Sequence, residues 1–271
     1  MQAGDDDRRG RGRGSQGEGG GRGRRRDDNR GGRRDRSDPP IWARTPREPR
    51  GRARAAPRTR EEVVRAALAV ADDEGFEAVS MRNVAARLGV GTMTLYSYVS
   101  SKEDLLDLMF DEVMSELLLP EPLPAGWREA LIAISLRTRD VWLRHPWLSS
   151  SIGERSSFGP NSMRHVEQSL AAVSGLGLDG PEAFLVLAAV DDYTLGHVMR
   201  QVGMQSGRRR EGIDADEWRE AMEPYWRAMI ATGEFPRLAK VADTEWEFLN
   251  EERFELGLGW ILDGIAARYE R

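Results

Sequence analysis

Residues 79–102 read VSMRNVAARLGVGTMTLYSYVSSK, and this stretch decides the fold of the chain. It predicts a helix that begins after Ser80, because a serine hydroxyl accepts hydrogen bonds from the free N–H groups of a first helical turn. Apolar residues recur at helical spacing as far as Leu88, and Gly89 stands where a left-handed residue ends such a helix. After a short turn, the pattern predicts a second helix from about Thr92 to Tyr98.

The second helix has an apolar side and a polar side. Leu95 and Val99 are expected to pack inward, and the other residues are expected to face outward: Thr92, Met93, Thr94, Tyr96, Ser97 and Tyr98. Two short helices joined by a glycine turn, the second rich in small polar and aromatic residues, are typical of a helix-turn-helix. Such a unit places its second helix in the major groove of DNA.

These residues resemble the TetR family of transcriptional regulators. The family pattern is a small N-cap, Met or Leu before Arg, then Ala-x-x-Leu-Gly-Val, Leu-Tyr-x-aromatic and Lys. In this chain it reads Ser80-Met81-Arg82, Ala85-Ala86-Arg87-Leu88-Gly89-Val90, Leu95-Tyr96-Ser97-Tyr98 and Lys102. The helix that precedes the motif in the family corresponds here to Arg60 to Glu74, so the resemblance extends from Arg60 to Leu106.

Candidate DNA contacts follow from the motif. Arg82 can form a forked hydrogen bond with guanine, worth about 1–3 kcal/mol of base discrimination, and a phosphate contact is the alternative. The resemblance implies that Tyr96 and Lys102 hold phosphates. Tetracycline repressors of this family commonly have His after a Tyr-Trp pair, where this chain has Ser97-Tyr98, so its operator is expected to differ. The predicted DNA-binding residues are Ser80, Met81, Arg82, Thr92, Met93, Thr94, Tyr96, Ser97, Tyr98 and Lys102.

The composition excludes several classes of protein. The chain has 271 residues and is 39% hydrophobic, which is enough to build a core. It has no cysteine, so disulfide frameworks and cysteine zinc sites are excluded. The longest apolar run, 183–190, is far shorter than the ~20 residues of a membrane helix, and the N-terminus lacks the apolar segment of a signal peptide. We therefore expect a cytoplasmic, nucleoid-associated protein with no membrane partner.

The first 57 residues differ in composition from the rest. Up to Arg60 there are about 19 arginines against about 9 acidic residues, in a chain whose net charge is -5. This segment has too little apolar surface to offset its ordering entropy, so it is predicted to be disordered, with local docking of Ile41-Trp42. One interpretation is an arginine-glycine arm that adds non-specific affinity for phosphates or enters an adjacent minor groove. The alternative is a dispensable tail, or a start codon assigned too far upstream.

The predicted fold class is all-α, because no period-two strand pattern occurs. A proline-rich break at 120–124 follows a connector helix at 102–119, and a polar loop is predicted at 205–212. Residues 1–57 are predicted to form a disordered Arg/Gly-rich tail, and residues 58–104 a three-helix DNA-binding domain with the helix-turn-helix. Residues 105–271 are predicted to form a larger helical domain for ligand binding and dimerisation.

Two further pieces resemble family members with a tetracycline-repressor-type C-terminal domain. They are Leu143-Arg144-His145-Pro146-Trp147 and the segment running from Phe254-Glu255-Leu256-Gly257 to Leu262-Asp263-Gly264. In such proteins two long helices from each protomer form a four-helix bundle, which implies a homodimer through helices 181–203 and 244–269. A glycine inside a helix destabilises it by roughly 1 kcal/mol relative to alanine, so several glycines in these helices suggest that close packing requires them. The packing is either between protomers or within one chain, and the residues are Gly196, Gly257 and Gly264.

The larger domain is expected to bind a small-molecule inducer. Aromatic residues and methionines with a few buried polar groups suit an apolar ligand held by few hydrogen bonds. Each candidate alone is more typical of core or surface, and His145 beside Pro146 is also a candidate kink residue. The candidates are Trp142, His145, Trp147, Phe158, Met163, His165, Tyr193, His197 and Met199.

No metal or cofactor is predicted. The three histidines lack the spacing of a metal site. Tetracycline repressors bind magnesium through a histidine located one turn before the Pro motif, and this chain has Val141 there.

The sequence thus predicts a homodimeric repressor that leaves a palindromic double-stranded operator when it binds its inducer. Repression is the family's usual activity, and activation stays open. An enzyme is not expected, because no glycine-rich phosphate loop follows a strand and no nucleophile-base pair stands at motif spacing. The alternative function is a nucleic-acid-binding protein that acts mainly through its Arg/Gly-rich tail.

Overall fold

The computed structural model describes residues 41–43, 59–151, 159–212, 215–241 and 251–270. All regular structure within these ranges is helical, as predicted. The α-helices are α1 (Arg60–Glu74), α2 (Met81–Leu88), α3 (Thr92–Leu95), α4 (Lys102–Leu117), α5 (Trp127–Arg144), α6 (Pro160–Val173), α7 (Gly180–Glu211), α8 (Ala215–Ala231), α9 (Pro236–Ala239) and α10 (Glu251–Tyr269). The 3₁₀ turns are Ile41–Ala43, Phe76–Ala78, Pro146–Ser151 and Ser174–Leu176.

No single helix in the described ranges is long and apolar enough to cross a membrane. One sharply bent pair, Pro160–Leu176 with Gly180–Gln205, meets the requirements of length and composition only when the two parts are counted together.

The predicted capping signals of α2 are confirmed, and α1 is capped in a similar way. Thr59 and Glu62 form a reciprocal capping box, in which the Glu62 amide donates to the Thr59 hydroxyl at 3.2 Å. The Ser80 hydroxyl accepts from the Asn83 amide at 3.1 Å, and Gly89 ends α2 with a φ of 67°. Because these caps satisfy N–H and C=O groups that have no partner inside the helix, both helices begin and end where the sequence indicates.

The first apolar core joins α1–α4 to the end of α5. It contains fully buried residues of the helix-turn-helix such as Leu95, together with Met109 of α4. Val141 of α5 and Trp147 of the following 3₁₀ turn belong to the same core. The helix-turn-helix therefore rests on α4 and on the C-terminal end of α5.

The second apolar core lies among α5, α6, α7 and α10. Leu131 of α5, Leu187 of α7 and Leu258 of α10 are among its buried members. The proline-rich break predicted before this region is confirmed, since α4 ends at Leu117 and α5 begins at Trp127.

Two segments differ from the sequence predictions. α3 is a single turn that ends at Leu95, and the chain continues to Tyr98 in a turn where the Val99 amide donates to the Leu95 carbonyl at 3.0 Å. The loop predicted at 205–212 is wrong, because α7 continues to Glu211. The arginine and glutamine in this stretch favour a helix enough to outweigh single glycines.

The 3₁₀ turn Ile41–Ala43 packs against α4, and Ile41 is buried there. The predicted local docking of Ile41 is therefore confirmed. The rest of the tail predicted to be disordered, up to residue 57, lies outside the described residues.

Candidate nucleic-acid interface and ligand site

The outward surface of α2 and α3 carries most of the predicted DNA contacts. Met93 is 80% exposed, and Arg82, Tyr96 and Lys102 are also exposed. Met81 differs, because only 7% of it is exposed and its side chain packs in the first apolar core. Contact between Met81 and DNA stays a prediction. The remaining candidates are half-buried: Ser80, Thr92, Thr94, Ser97 and Tyr98.

This surface is fixed by contacts on its inner side. Leu95 is fully buried beneath α3. The Arg60 guanidinium donates through Nε to the Tyr98 carbonyl at 3.3 Å, which joins α1 to the turn after α3. Arg87 of α2 pairs with Asp73 of α1 at 2.5 Å. The exposed side chains of α3 therefore project from a turn that α1 and α2 hold in place.

A buried carboxylate of α4 caps the start of α6. Asp111 Oδ1 accepts from the backbone amides of Asn161 at 2.9 Å and Ser162 at 3.2 Å. Gly159 precedes α6 and supplies no side-chain cap. A Cβ atom on Gly159 would lie 2.1 Å from Asp111 Oδ1, which leaves no room for a side chain. The start of α6 therefore depends on a residue of α4.

The segment after α4 is also bound to α6. Gln168 of α6 accepts from the Leu119 amide at 2.9 Å and donates to the Leu119 carbonyl at 2.9 Å. Because α6 holds both Asp111 and Leu119, a displacement of α6 acts on α4 and on the segment that follows it.

His145 lies between carboxylates of two other helices. Its Nδ1 is 2.7 Å from Asp72 Oδ1 on α1, and its Nε2 is 3.2 Å from Glu116 Oε1 on α4. The Trp147 indole donates to the same Asp72 oxygen at 2.7 Å and stacks on Phe76 with centroids 5.7 Å apart. Two predicted ligand contacts, His145 and Trp147, thus join α1, α4 and the end of α5, and their polar atoms are engaged there.

Buried polar side chains separate the two apolar cores along α5. Ile134 belongs to the second core and Val141 to the first. Between them, Ser135, Thr138 and Arg139 are 2%, 5% and 9% exposed. Spacings of three and four residues place them on one face of the helix. This face is directed at the neighbouring helices, because α5 packs against both α6 and α7.

α6 and α7 add polar side chains at the same level. Arg139 of α5 and His197 of α7 both contact the Phe254 ring of α10, so the C-terminal halves of α5 and α7 come close together. We use the name polar layer for the following set: Ser135, Thr138 and Arg139 of α5, His165 of α6, and His197 and Gln201 of α7.

Five atoms of the polar layer are buried without a hydrogen-bond partner in the part of the chain that the structure describes. Leaving such an atom unsatisfied costs about 1–3 kcal/mol, and native proteins contain few of them. A group of five on three neighbouring helices therefore makes the polar layer a candidate binding site. The atoms are Ser135 Oγ, Thr138 Oγ1, His165 Nδ1, His197 Nε2 and Gln201 Oε1.

Both histidines of the polar layer favour the neutral form. Burial lowers the pKa of His165. Burial also lowers the pKa of His197, and the positive charges of Arg200 and Arg139 lower it further. A neutral imidazole has one N–H donor and one nitrogen that accepts, so each ring offers a ligand either kind of hydrogen bond.

Aromatic rings border the polar layer on the side of α10. The Phe254 ring lies 5.0 Å from the His197 ring in an edge-to-face arrangement and 5.6 Å from the Tyr193 ring in a stacked one. The Arg139 guanidinium lies 5.5 Å from the centre of the Phe254 ring. These contacts bring residues of α5, α7 and α10 together at one place.

Two of the predicted ligand contacts meet at this place, namely Tyr193 and His197. His165 lies on α6, where its Nδ1 is buried. Trp142 packs on the first apolar core instead. Met163 and Met199 are exposed, because they lie on the outer faces of α6 and α7. Phe158 lies outside the described residues.

Sequence reasoning missed five residues of this region. The available signal was weak, since small polar residues on an apolar helix face are common and only the packing of α5 against α7 shows that these are buried. The missed residues are Ser135, Thr138, Arg139, Gln201 and Phe254.

A recess of about 990 Å³ lies at the other end of α5. It contains none of the predicted ligand contacts, and its lining includes Trp127, Leu176 and Arg268. No group of three or more potential metal-ligating side chains occurs among the residues that the structure describes.

α7 and α10 also carry exposed apolar residues. Leu185 of α7 is 69% exposed and Trp260 of α10 is 67% exposed, and Phe184 and Leu256 are exposed beside them. The two helices pack against each other, so these residues lie on neighbouring helices. We call these four residues the apolar face. Exposed apolar surface of this kind marks an interaction site.

Gly257 is explained by packing within one chain. A Cβ atom on Gly257 would lie 2.2 Å from the Tyr193 hydroxyl oxygen, and that hydroxyl donates to the Phe254 carbonyl at 2.9 Å. Gly196 and Gly264 have no described atom within 4 Å of a Cβ position outside their own helix. Of the three glycines predicted to serve close packing, Gly196 and Gly264 leave open space for a second protomer.

Two family models match the chain. The model described as "Bacterial regulatory proteins, tetR family" matches residues 63–109. The model described as "Tetracyclin repressor-like, C-terminal domain" matches residues 119–269. The first match ends within α4, and the second begins at residue 119, next to the proline-rich break.

The chain is also similar to known regulators over most of its length. It is 39% identical to the HTH-type transcriptional repressor DrrR1 of Streptomyces coeruleorubidus, over 76% of this chain and 77% of that protein. It is 30% identical to apo ActR of Streptomyces coelicolor, with a TM-score of 0.65 over 79% of this chain and 97% of that one. ActR in complex with actinorhodin gives 30% identity and a TM-score of 0.66, over 80% and 100% of the two chains.

Proposed function

This chain belongs to the TetR family of bacterial transcriptional regulators, and we propose that it is a homodimeric repressor whose operator DNA is released by a small molecule. The observation that carries the proposal is the helix-turn-helix of α2 and α3, whose exposed residues project from a closed core. The relatives named above are transcriptional regulators, which favours regulation over catalysis. Such a protein works in the cytoplasm, where its operator is.

In this proposal α3 enters the major groove and each exposed side chain has a distinct role. Met93 contacts base edges through its side chain. Thr94 contacts them through its hydroxyl and methyl groups. Arg82 reads a guanine by a forked hydrogen bond. Tyr96 and Lys102 hold phosphates, which adds affinity without sequence preference.

We propose that the apolar face forms the dimer interface. In a two-fold dimer the same face of a second copy covers Leu185 and Trp260, which removes apolar surface from water. We call the helix-turn-helix of α2 and α3 with its exposed residues the reading head. The two reading heads of the dimer then fit half-sites about 34–36 Å apart on a palindromic operator. The proposed division of the chain is a DNA-binding domain at 58–104 and a ligand-binding and dimerisation domain at 105–271, and the ranges of the two family models support it.

The ligand acts through α6 in this proposal. ActR, at 30% identity, has been solved with actinorhodin bound, which supports a small-molecule ligand for this chain as well. α6 carries His165 of the polar layer and holds α4 through Asp111 and Gln168. A ligand that displaces α6 therefore displaces α4 and the helix-turn-helix in front of it. The effect on DNA cannot exceed the difference in the ligand's affinity for the two conformations.

The test is DNA-fragment selection with purified protein, followed by titration of variants on the selected site. Arg82→Ala should lower the ratio of affinities for the preferred base and other bases at one position by about 5- to 150-fold, since a forked contact is worth about 1–3 kcal/mol. Lys102→Ala should weaken all sequences alike and lower the slope of log affinity against log salt by about 1.

Arg237→Ala is the matched control, because Arg237 is an exposed arginine on α9, outside the reading head. Its affinity and sequence preference should equal those of the wild type. If the wild type selects no sequence, or if Arg237→Ala weakens binding as much as Lys102→Ala does, the proposed reading head is wrong.

A further inference from the structure

We propose that His145, with both ring nitrogens protonated, is a positioning residue that sets the angle between the reading head and α5, and that protonation of this ring strengthens operator binding. The inference rests on the proposed function, because it concerns how the same reading head is held. It is carried by two carboxylates, from two helices, that face the two nitrogens of one buried ring.

The contacts of His145 require a hydrogen on each ring nitrogen. Nδ1 lies 2.7 Å from Asp72 Oδ1, and Nε2 lies 3.2 Å from Glu116 Oε1. An ionised carboxylate can only accept, so each contact needs an N–H group of the ring. A neutral imidazole has one N–H group, and the imidazolium has two. Because an imidazole is a stronger base than a carboxylate, the proton of this cluster belongs on His145.

Each of the two carboxylates also binds a second group from the end of α5. The Trp147 indole donates to Asp72 Oδ1 at 2.7 Å. The Arg144 guanidinium pairs with Glu116 through Oε2. Residues 144–147 therefore hold one carboxylate of α1 and one of α4, and His145 binds both of them.

Directional contacts are needed here because apolar packing alone does not set an angle. Val141 and Trp147 pack in the first apolar core, but apolar contact has no preferred direction. A hydrogen bond has one, since it weakens steeply as donor and acceptor move out of line. With both contacts of His145 made, α1 and α4 are fixed to the end of α5, and α1 holds the reading head through Asp73 and Arg87.

Loss of the proton leaves one of the two carboxylates facing a nitrogen that cannot donate. Only 5% of His145 is exposed, so little water reaches the ring to replace the lost contact. The reading head can then take other angles, while the two half-sites of an operator keep a fixed separation. The apparent affinity falls with the fraction of molecules that have the competent geometry. A hydrogen bond to a charged group corresponds to about 10- to 150-fold in an equilibrium, so we expect a fall of at least about tenfold.

The imidazole is the group of this cluster whose charge depends on pH in the range of the test. The charged groups that contact the ring or its partners come from α1, α4 and α5, and they are Asp72, Glu116 and Arg144. Carboxylates and arginines ordinarily keep their charge between about pH 6 and 9, whereas histidine ordinarily changes its charge near pH 6.5.

Fluorescence anisotropy titration of the full chain on the selected operator tests the proposal, at constant ionic strength between about pH 6 and 9. The wild type should bind at least about tenfold more tightly at pH 6 than at pH 9. Equal affinity across this range would overturn the proposal.

His165→Gln/His197→Gln is the matched control, because the chain has three histidines and this variant keeps His145 alone. It should show the same dependence on pH as the wild type. If the dependence disappears in this variant, the polar layer causes it and His145 does not.

Two substitutions of His145 separate positioning by charge from simple packing. His145→Gln is neutral at every pH, so its affinity should be constant and close to that of the wild type at pH 9. His145→Arg has N–H groups for both carboxylates at every pH, so its affinity should be constant and close to that of the wild type at pH 6. A dependence on pH that persists in His145→Gln would contradict the proposal. Thermal unfolding checks the fold of each variant, and the wild type and His145→Gln decide the outcome if His145→Arg does not fold.

The same titrations separate this inference from the proposed function. If an operator is selected and the wild type binds it equally at pH 6 and pH 9, the repressor assignment stands and the role of His145 is wrong. If no operator is selected even at pH 6, the proposed reading head is wrong and the inference about His145 fails with it.

Discussion

His165 and His197 have a consequence at the scale of single residues, because both have a pKa below the ordinary value for histidine. The unfolded chain takes up protons on these residues near pH 6.5, whereas the folded chain resists them until a lower pH. Protonation therefore favours the unfolded state. Their contribution to the free energy of unfolding is complete above the unfolded pKa and is lost as the pH falls below about 6.5.

We expect the melting temperature of the wild type to fall when the pH is lowered from about 7.5 to about 5.5, and to fall less in His165→Gln/His197→Gln. The measurement is thermal unfolding across that range for both proteins. The two proteins are compared by how much the melting temperature changes with pH, and not by its value at one pH. Parallel curves for the two proteins would show that these histidines titrate normally when folded.

Residues of the reading head could be predicted from the sequence, whereas the polar layer could not. Ser80 and Gly89 cap their own helix, so their effect depends on residues that are close in sequence. Ser135 and Thr138 become a site only because α5 lies against α6 and α7, which no local pattern encodes. The contacts of His145 and Trp147 with Asp72 and Glu116 also join residues that are distant in sequence, so no local pattern predicts them.

At the scale of helices, α4 and α6 are joined by the carboxylate of Asp111. We expect Asp111→Ala to lower the free energy of unfolding by about 0.5–2 kcal/mol, the usual effect of removing an N-cap. It should also weaken the coupling between ligand and DNA, because α4 would lose its two hydrogen bonds to the first amides of α6. Denaturant unfolding gives the first quantity, and the ratio of operator affinities with and without ligand gives the second.

Glu112→Ala is the control for this prediction, since Glu112 is the exposed acidic neighbour of Asp111 on the same helix. Both quantities should stay at their wild-type values in this variant. A normal ligand response in Asp111→Ala would show that the link between α4 and α6 does not transmit the signal.

At the scale of the whole molecule, the apolar face decides the number of subunits. We expect Trp260→Glu to produce monomers, because the dimer would have to bury an unpaired carboxylate in apolar surface. Operator affinity should then fall by about 10²- to 10⁴-fold, as two linked half-site contacts become independent. Light scattering after size-exclusion chromatography measures the mass, and operator titration measures the affinity.

Met163→Glu places the same charge on an exposed apolar residue of α6 and serves as the comparison. It should remain dimeric. If Trp260→Glu is still a dimer, the interface does not lie on the apolar face.

The contact between Gly159 and Asp111 also has a consequence for how the sequence can change during evolution. A side chain at position 159 would occupy the space of the Asp111 carboxylate, and loss of that carboxylate would leave the first amides of α6 without their acceptor. Neither position can change alone at low cost. In an alignment of relatives, glycine at 159 and aspartate at 111 should therefore be retained together or replaced together, and a relative that lacks both should supply a capping side chain from the start of its own α6.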